Sequence, residues 1–200
     1  MKRLILQMQM SVDGFVSADD STFNWTLWDW GPRCPWDTAL KKRFNDTMAG
    51  IDTVLLSGPM ADGYINHWTR MSEQRADDPD YAFTHRIVAA HKRVVSRSLD
   101  TIRWPRASLG RGPLLDEVAA LKQAAAADII CFGGVSFAAA LLENDCVDEL
   151  QLYVNPSAIA AGRSIFRHVR RLQCLEATAY DCGIVVQRYG FCPRSAAAHS

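Results

Sequence analysis

At 200 residues the chain is long enough for one ordinary globular domain with a sizeable core. Its 22 Lys and Arg balance 22 Asp and Glu, which leaves no electrostatic footprint for a polyanion and argues against nucleic acid as a partner. With 48% hydrophobic and 22% charged residues the composition is that of a folded chain, and no apolar run reaches the roughly 20 residues that span a bilayer.

Leu4, Leu6, Met8, Met10 and Val12 alternate with polar neighbours, so residues 4–12 are predicted as a first strand rather than as a signal peptide, and Ser11-Val12-Asp13-Gly14 turns the chain. Residues 24–36 hold four of the six tryptophans among Gly31, Pro32 and Pro35, a pattern that predicts an irregular loop. Pro35 and Asp37 suit the start of a helix through Leu40, Phe44 and Met48, ended by Gly50. Residues 52–57 form a buried strand, and a short helix to about Trp68 precedes a polar surface loop at 69–79. A weak helix follows at 81–90, then a strand at 92–96 and a loop through Pro105 and Gly112. Pro113 opens a helix with Leu114, Val118, Leu121 and Ala125 on one face. Residues 128–132 form a strand that meets Gly133-Gly134, and a helix follows at 136–142. After Asp148 the pattern turns to strands near 149–154, 175–180 and 184–189, and the Ala/Ser-rich tail 193–200 is expected to be disordered. Alternating strands and helices followed by strands predict an α/β fold. The expected sheet is mixed and mostly parallel, extended by antiparallel C-terminal strands, with helices on both faces of a single domain.

Six scattered cysteines without a C-x-x-C pair argue against structural zinc and for reduced thiols in a cytoplasmic protein; no metal site is expected. The sharpest chemical signal is strand–Gly133-Gly134–helix. It reads either as a tight turn or as a phosphate cradle, in which bare backbone N–H groups meet a helix N-terminus. Ser57-Gly58 and Ser96-Arg97 add two more apolar strands that end in small or hydroxylated residues, where open α/β sheets bind ligands. Arg97 is either a solvated surface charge or a planar cation for a phosphate monoester. A carboxyl group beside a bound ligand can serve as a proton source. Asp37 is the first candidate, against a capping role, and Asp13 the second, against a turn role. Trp25, Trp28, Trp30 and Trp36 form either an aromatic wall for a planar heterocycle or part of the core.

The order of these motifs carries a resemblance. Residues 6–16 (LQMQMSVDGFV), Leu55-Leu56-Ser57-Gly58, Val94-Val95-Ser96-Arg97, Cys131-Phe132-Gly133-Gly134, Val147-Asp148-Glu149-Leu150 and Gly162-Arg163-Ser164-Ile165-Phe166 resemble the dihydrofolate-reductase-like family. The closer likeness is to the reductase domain of the bifunctional riboflavin-biosynthesis deaminase-reductase. The resemblance implies an NADPH-binding homodimer that reduces a small pteridine- or pyrimidine-like molecule, or a dimeric NADP(H)-binding module with little turnover. Carried over by position, Gly133, Gly134, Val135, Ser136 and Phe137 hold the pyrophosphate, and Ser96 and Arg97 meet the 2′-phosphate. Ser57 and Gly58 run along the cofactor, Val16 and Ser17 sit by the nicotinamide, and Gln9, Trp28 and Trp36 face the substrate. Pro59 stands where the family often has an arginine, which removes one cation from the phosphate site.

Overall fold

The computed structural model describes residues 1–19, 24–27 and 35–192. Trp28, Trp30, Cys34 and the expected disordered tail at 193–200 lie outside the described residues. In chain order the elements are β1 (Leu4–Ser11), β2 (Ser17–Ala18), α1 (Thr38–Ala49), β3 (Ile51–Ser57), α2 (Gly58–Gln74), a 3-10 turn (Pro79–Tyr81), α3 (Ala82–Ala89), β4 (His91–Val95), β5 (Ala107–Gly110) and α4 (Leu114–Ala124). They continue with β6 (Asp128–Cys131), α5 (Val135–Glu143), β7 (Glu149–Asn155), β8 (Gly162–Arg163), β9 (Leu172–Ala179) and β10 (Val185–Phe191).

Eight strands form one sheet in the order β5-β4-β3-β6-β1-β7-β10-β9. The first six are parallel, and β10 runs antiparallel to both β7 and β9. This is the mixed, mostly parallel sheet that the sequence predicts. Helices α1, α2 and α3 cover one face, where Leu40, Phe44, Trp68 and Phe83 cluster with Ile5, Val54 and Ile130. On the other face α4 and α5 pack Val118, Leu121 and Leu141 with Leu4, Leu6, Met8 and Leu150. β2 pairs only with β8, in a small ladder outside the main sheet. Among the described residues no helix is long and apolar enough to cross a membrane.

Three expectations change. Val12 leaves the strand and is exposed, because β1 ends at Ser11 where the turn begins. Helix α2 continues to Gln74 through what reads as a polar loop, since Ala61, Ile65, Trp68 and Ser72 extend one buried stripe at helical spacing. β5 occupies part of the expected loop at 105–112. Four residues are too few to show a period, and this edge strand is fixed by its register with β4, from Lys92 opposite Ala107 to Val95 opposite Gly110.

Where the parallel strands begin, charges are paired across the sheet. Arg3 reaches Asp128 and Glu149 at 2.5 and 2.8 Å, Arg188 bridges Glu149 and Glu176 at 2.7 and 3.0 Å, and Arg43 meets Glu176 at 2.5 Å. Glu149 is 2% exposed. Burial pushes its carboxyl up, but the bonds from Arg188 and Gln151 outweigh that and hold it below the usual carboxylate range. The bonds from Arg43 and Arg188 bring Glu176 down to about 2.

Candidate active site

The other ends of the same strands converge on a crevice, and its floor is built around glycines. Gly133 has φ +107°, a backbone conformation that favours glycine, and it lets α5 start at once after β6. Gly134 precedes the first turn of α5, and no side chain caps the helix. The Val135, Ser136 and Phe137 N–H groups of that turn therefore have no intrahelical acceptor. A Cβ on Gly134 would touch only Met60 Sδ, at an ordinary van der Waals distance of 3.6 Å, so the backbone there is not crowded. Gly58 has the opposite constraint. A Cβ there would lie 2.5 Å from Ser96 Oγ and 2.8 Å from Ser96 Cβ, so only glycine lets the start of α2 sit against the end of β4. Pro59 falls in the first turn of α2, where its missing N–H costs no helical bond.

Ser96 still pairs its N–H with Gly110 O at 3.0 Å, while its nearly buried hydroxyl accepts from the Ser98 and Leu99 N–H groups, both at 3.2 Å. This turn presents Arg97 outward, and among the described residues its guanidinium makes no ion pair or hydrogen bond. The Arg111 guanidinium closes the same turn by donating to Leu99 O and Asp100 O at 2.9 and 2.7 Å. On the far side, the Val16 N–H donates to Arg163 O at 2.9 Å and Ser17 pairs with Arg163. Gly162 allows this close approach, since a Cβ there would lie 2.2 Å from Ser17 O.

Beside the glycine pair lies a cavity of about 310 Å³, lined by Gln7, Gln9, Thr26, Phe44, Tyr64, Trp68, Ile87 and Phe132. Phe132, the residue before Gly133, stacks with Tyr64 at 5.9 Å, and Trp68 meets Tyr64 edge-on at 6.2 Å. The Tyr64 hydroxyl is buried without a hydrogen-bond partner among the described residues, and burial raises its pKa well above the usual value. Of the residues expected to face substrate, Gln9 lines the cavity. Trp36 is a core residue instead. It is 3% exposed, stacks on Tyr153 at 5.4 Å and donates its indole N–H to Leu27 O. Trp28 is outside the described residues.

Both candidate acids have structural work. Asp37 caps α1, accepting from the Leu40 N–H at 2.8 Å, and also accepts from the Cys182 N–H at 3.1 Å. Partial burial pushes its carboxyl up, but those amides outweigh it and keep Asp37 below its ordinary value. Backbone donors thus stabilise the Asp37 anion. Asp13 takes the Ser11 hydroxyl at 2.6 Å and the Ile159 and Ala160 N–H groups at 3.0 and 2.8 Å, which also lowers it. Each is a carboxylate at neutral pH, and neither lines the cavity. Among the described residues no group of three metal-ligating side chains converges.

Sequence reasoning misses Gln7, Phe44, Tyr64, Trp68, Ile87 and Phe132 as cavity residues. For Gln7 a signal was available, since it shares the strand face of Gln9, which the resemblance assigns to the substrate.

A family model described as the RibD C-terminal domain matches residues 2–186. The chain belongs to the RibD C-terminal domain family. A curated relative, the uncharacterized protein YyaP of Bacillus subtilis strain 168, is 23% identical over 187 residues, 92% of each chain. A pyrimidine reductase-like protein from Corynebacterium diphtheriae superposes with a TM-score of 0.59 at 14% identity, over 96% of this chain and 92% of that one. A diaminohydroxyphosphoribosylaminopyrimidine deaminase/5-amino-6-(5-phosphoribosylamino)uracil reductase from Thermotoga maritima gives 0.63 at 12% identity, over 96% of this chain and 57% of that one. At these identities the RibD likeness in the solved structures is one of fold.

Proposed function

We propose that the protein is an NADPH-dependent reductase of a small pteridine- or pyrimidine-like molecule, acting as a cytoplasmic homodimer. The observation that carries this reading is Gly134, whose uncrowded backbone and uncapped helix start follow Phe132 of the aromatic cavity by two residues. The residues fit the cofactor. Gly133, Gly134, Val135, Ser136 and Phe137 offer backbone donors to a pyrophosphate, Ser57 and Gly58 border it at the β3 end, and Ser96 and Arg97 meet the 2′-phosphate. Val16 and Ser17, tied to Arg163, flank the nicotinamide side. When bound, the cofactor supplies a hydride. The chain orients the acceptor in the cavity between Gln9 and the aromatic wall. With Asp13 and Asp37 engaged elsewhere, the accompanying proton comes from solvent water.

That engagement of both carboxylates also favours a second reading, an NADP(H)-binding module with little turnover, which steady-state NADPH oxidation with pteridines and pyrimidines separates from the first. The homodimer reading is supported by β9, which ends the sheet and exposes Cys174 and Leu175. A monomer in sedimentation at micromolar concentration overturns it. Cytoplasmic residence is supported by the free state of the five described cysteines. The test of the cofactor site is Gly134→Val. A Cβ there meets Met60 only at ordinary van der Waals distance, and in a variant that thermal unfolding shows to be folded a branched group stands where phosphate must approach backbone. NADPH affinity is expected to fall at least tenfold by calorimetry; an unchanged affinity in the folded variant overturns the assignment.

A further inference from the structure

Two glutamines on the cavity face of β1 have their amide polarity fixed from outside the cavity. The chain of reasoning for Gln7 starts at Glu149, an acceptor only. Gln151 must turn its Nε2 toward Glu149 Oε1, at 2.8 Å. Its Oε1 then accepts, so Gln7 donates its Nε2 at 3.1 Å and keeps its Oε1 as an acceptor without a protein partner among the described residues. For Gln9 the chain starts at the Leu27 N–H, a donor only, which occupies Asn155 Oδ1 at 2.7 Å. Asn155 Nδ2 therefore donates to Gln9 Oε1 at 2.8 Å and to Tyr153 O at 3.0 Å. Gln9 is left with its Nε2 as a donor without a protein partner among the described residues. The two positions are i and i+2 of a strand, about 6.7 Å apart on one face, and long side chains close that gap.

An acceptor at Gln7 and a donor at Gln9, between aromatic rings, match the N–H and C=O of a lactam edge on a flat ring. Among the described residues the cavity wall carries no Lys, Arg, His, Asp or Glu. No described lining residue pairs with a phosphate or with a protonated diaminopyrimidine, and burying either charge unpaired is costly. About 310 Å³ is near the lower end of the roughly 300–1,000 Å³ of small-molecule sites, room for a bicyclic ring. We infer that the substrate is an uncharged planar heterocycle read through its lactam edge by Gln7 and Gln9, and that it carries no phosphoribosyl group. This inference rests on the reductase reading above and departs from the substrate that the name of the Thermotoga protein states.

The test is calorimetry on the full chain with three probes, pteridine-2,4-dione, 2,4-diaminopteridine and 5-amino-6-(5-phosphoribosylamino)uracil, with NADPH binding and thermal unfolding measured alongside. Measured at a pH low enough to protonate the diaminopteridine, whose neutral form also offers a donor beside an acceptor, the dione is expected to bind at least tenfold tighter than the other two. Gln9→Met removes the donor and is expected to weaken the dione roughly three- to tenfold. Gln9→Glu keeps an acceptor for Asn155 but turns the free end into an anionic acceptor, so the order of the two pteridines reverses while NADPH affinity stays. A phosphoribosyl compound that binds as tightly as the dione, or a Gln9→Glu variant with the original order, overturns the inference. If NADPH binds and none of the three probes does, this inference falls and the cofactor reading stands. If the dione behaves as stated and NADPH does not bind, the cofactor reading falls and the lactam assignment stands.

Discussion

At the starts of the parallel strands Arg3, Arg43 and Arg188 are all held by carboxylates, whereas at the opposite ends Arg97 extends from its turn with no partner among the described residues. The same contrast holds for neutral groups. Gln151 is satisfied by Glu149 and Gln7, while Gln7 and Gln9 each keep one unpartnered amide atom, and the Tyr64 hydroxyl has no partner among the described residues. A buried polar group left unpaired costs about 1–3 kcal/mol, so one end of the sheet is built for stability and the other holds binding capacity in reserve.

The contrast breaks most severely at Arg188. Arg188→Met takes one cation from a carboxylate that is 2% exposed, and removal of one partner of a buried pair typically costs about 3–5 kcal/mol. Arg3 remains on Glu149, so a loss of about 3 kcal/mol in denaturant unfolding is expected, with NADPH affinity unchanged because the glycine turns proposed to hold the phosphates lie at the other end. pH sharpens the same point. The carboxyls of Glu149 and Glu176 lie lower in the folded chain than in the unfolded one, so their stabilisation is fully present above the unfolded value near about 4.3 and is lost as pH falls toward the folded value, about 2 for Glu176. Urea titrations between pH 6 and pH 2.5 should show this decline, and Arg188→Met should flatten it.

At the binding end the expected effects are on ligands. Arg97→Ala should weaken NADPH by about ten- to a hundredfold, the worth of a charge-assisted hydrogen bond of roughly 1.5–3 kcal/mol, and leave NADH nearly unchanged. Equal losses for both cofactors in a binding titration would place Arg97 on the pyrophosphate instead. The smallest effect reverses the sign of the first. Tyr64→Phe deletes a buried hydroxyl without a partner and keeps the ring against Phe132 and Trp68, so the melting temperature should rise, by the equivalent of about 1 kcal/mol. A fall in melting temperature would mean that the hydroxyl is satisfied in solution.

How much of this was legible in the sequence follows the range of the interactions. Leu4, Leu6, Met8 and Met10 mark one face of β1 by alternation, and Gly133-Gly134 marks the start of α5, because both signals are local. The extension of α2 was hidden because a helix needs only its stripe to be apolar, and the residues around Ser72 read as loop. β5 was hidden because edge register is imposed by a neighbour. The cavity draws on α1, α2, α3, β1 and the end of β6, and no local period encodes that convergence. Gln7 carries no local mark of burial, and Gln9 is placed at the substrate only by the family resemblance. They are interior because the chain that covers them, α1 to α3, is specified elsewhere. Asp37 and Asp13 are plausible acids by position, and the backbone amides that fix them as anions come from Leu40, Cys182, Ile159 and Ala160, three of the four far along the chain.

β1 lies between β6 and β7, so Leu4 pairs with Ile129 and Ile5 with Glu149. During synthesis at about 5–20 residues per second, this first apolar strand leaves the ribosome on the order of ten seconds before either neighbour exists. Its two unpaired edges are open to other chains for that whole interval, and closing so long a segment makes the final assembly slow. Soluble yield in a cell should therefore respond to translation rate and to holdase chaperones more than to small gains in the stability of the finished sheet.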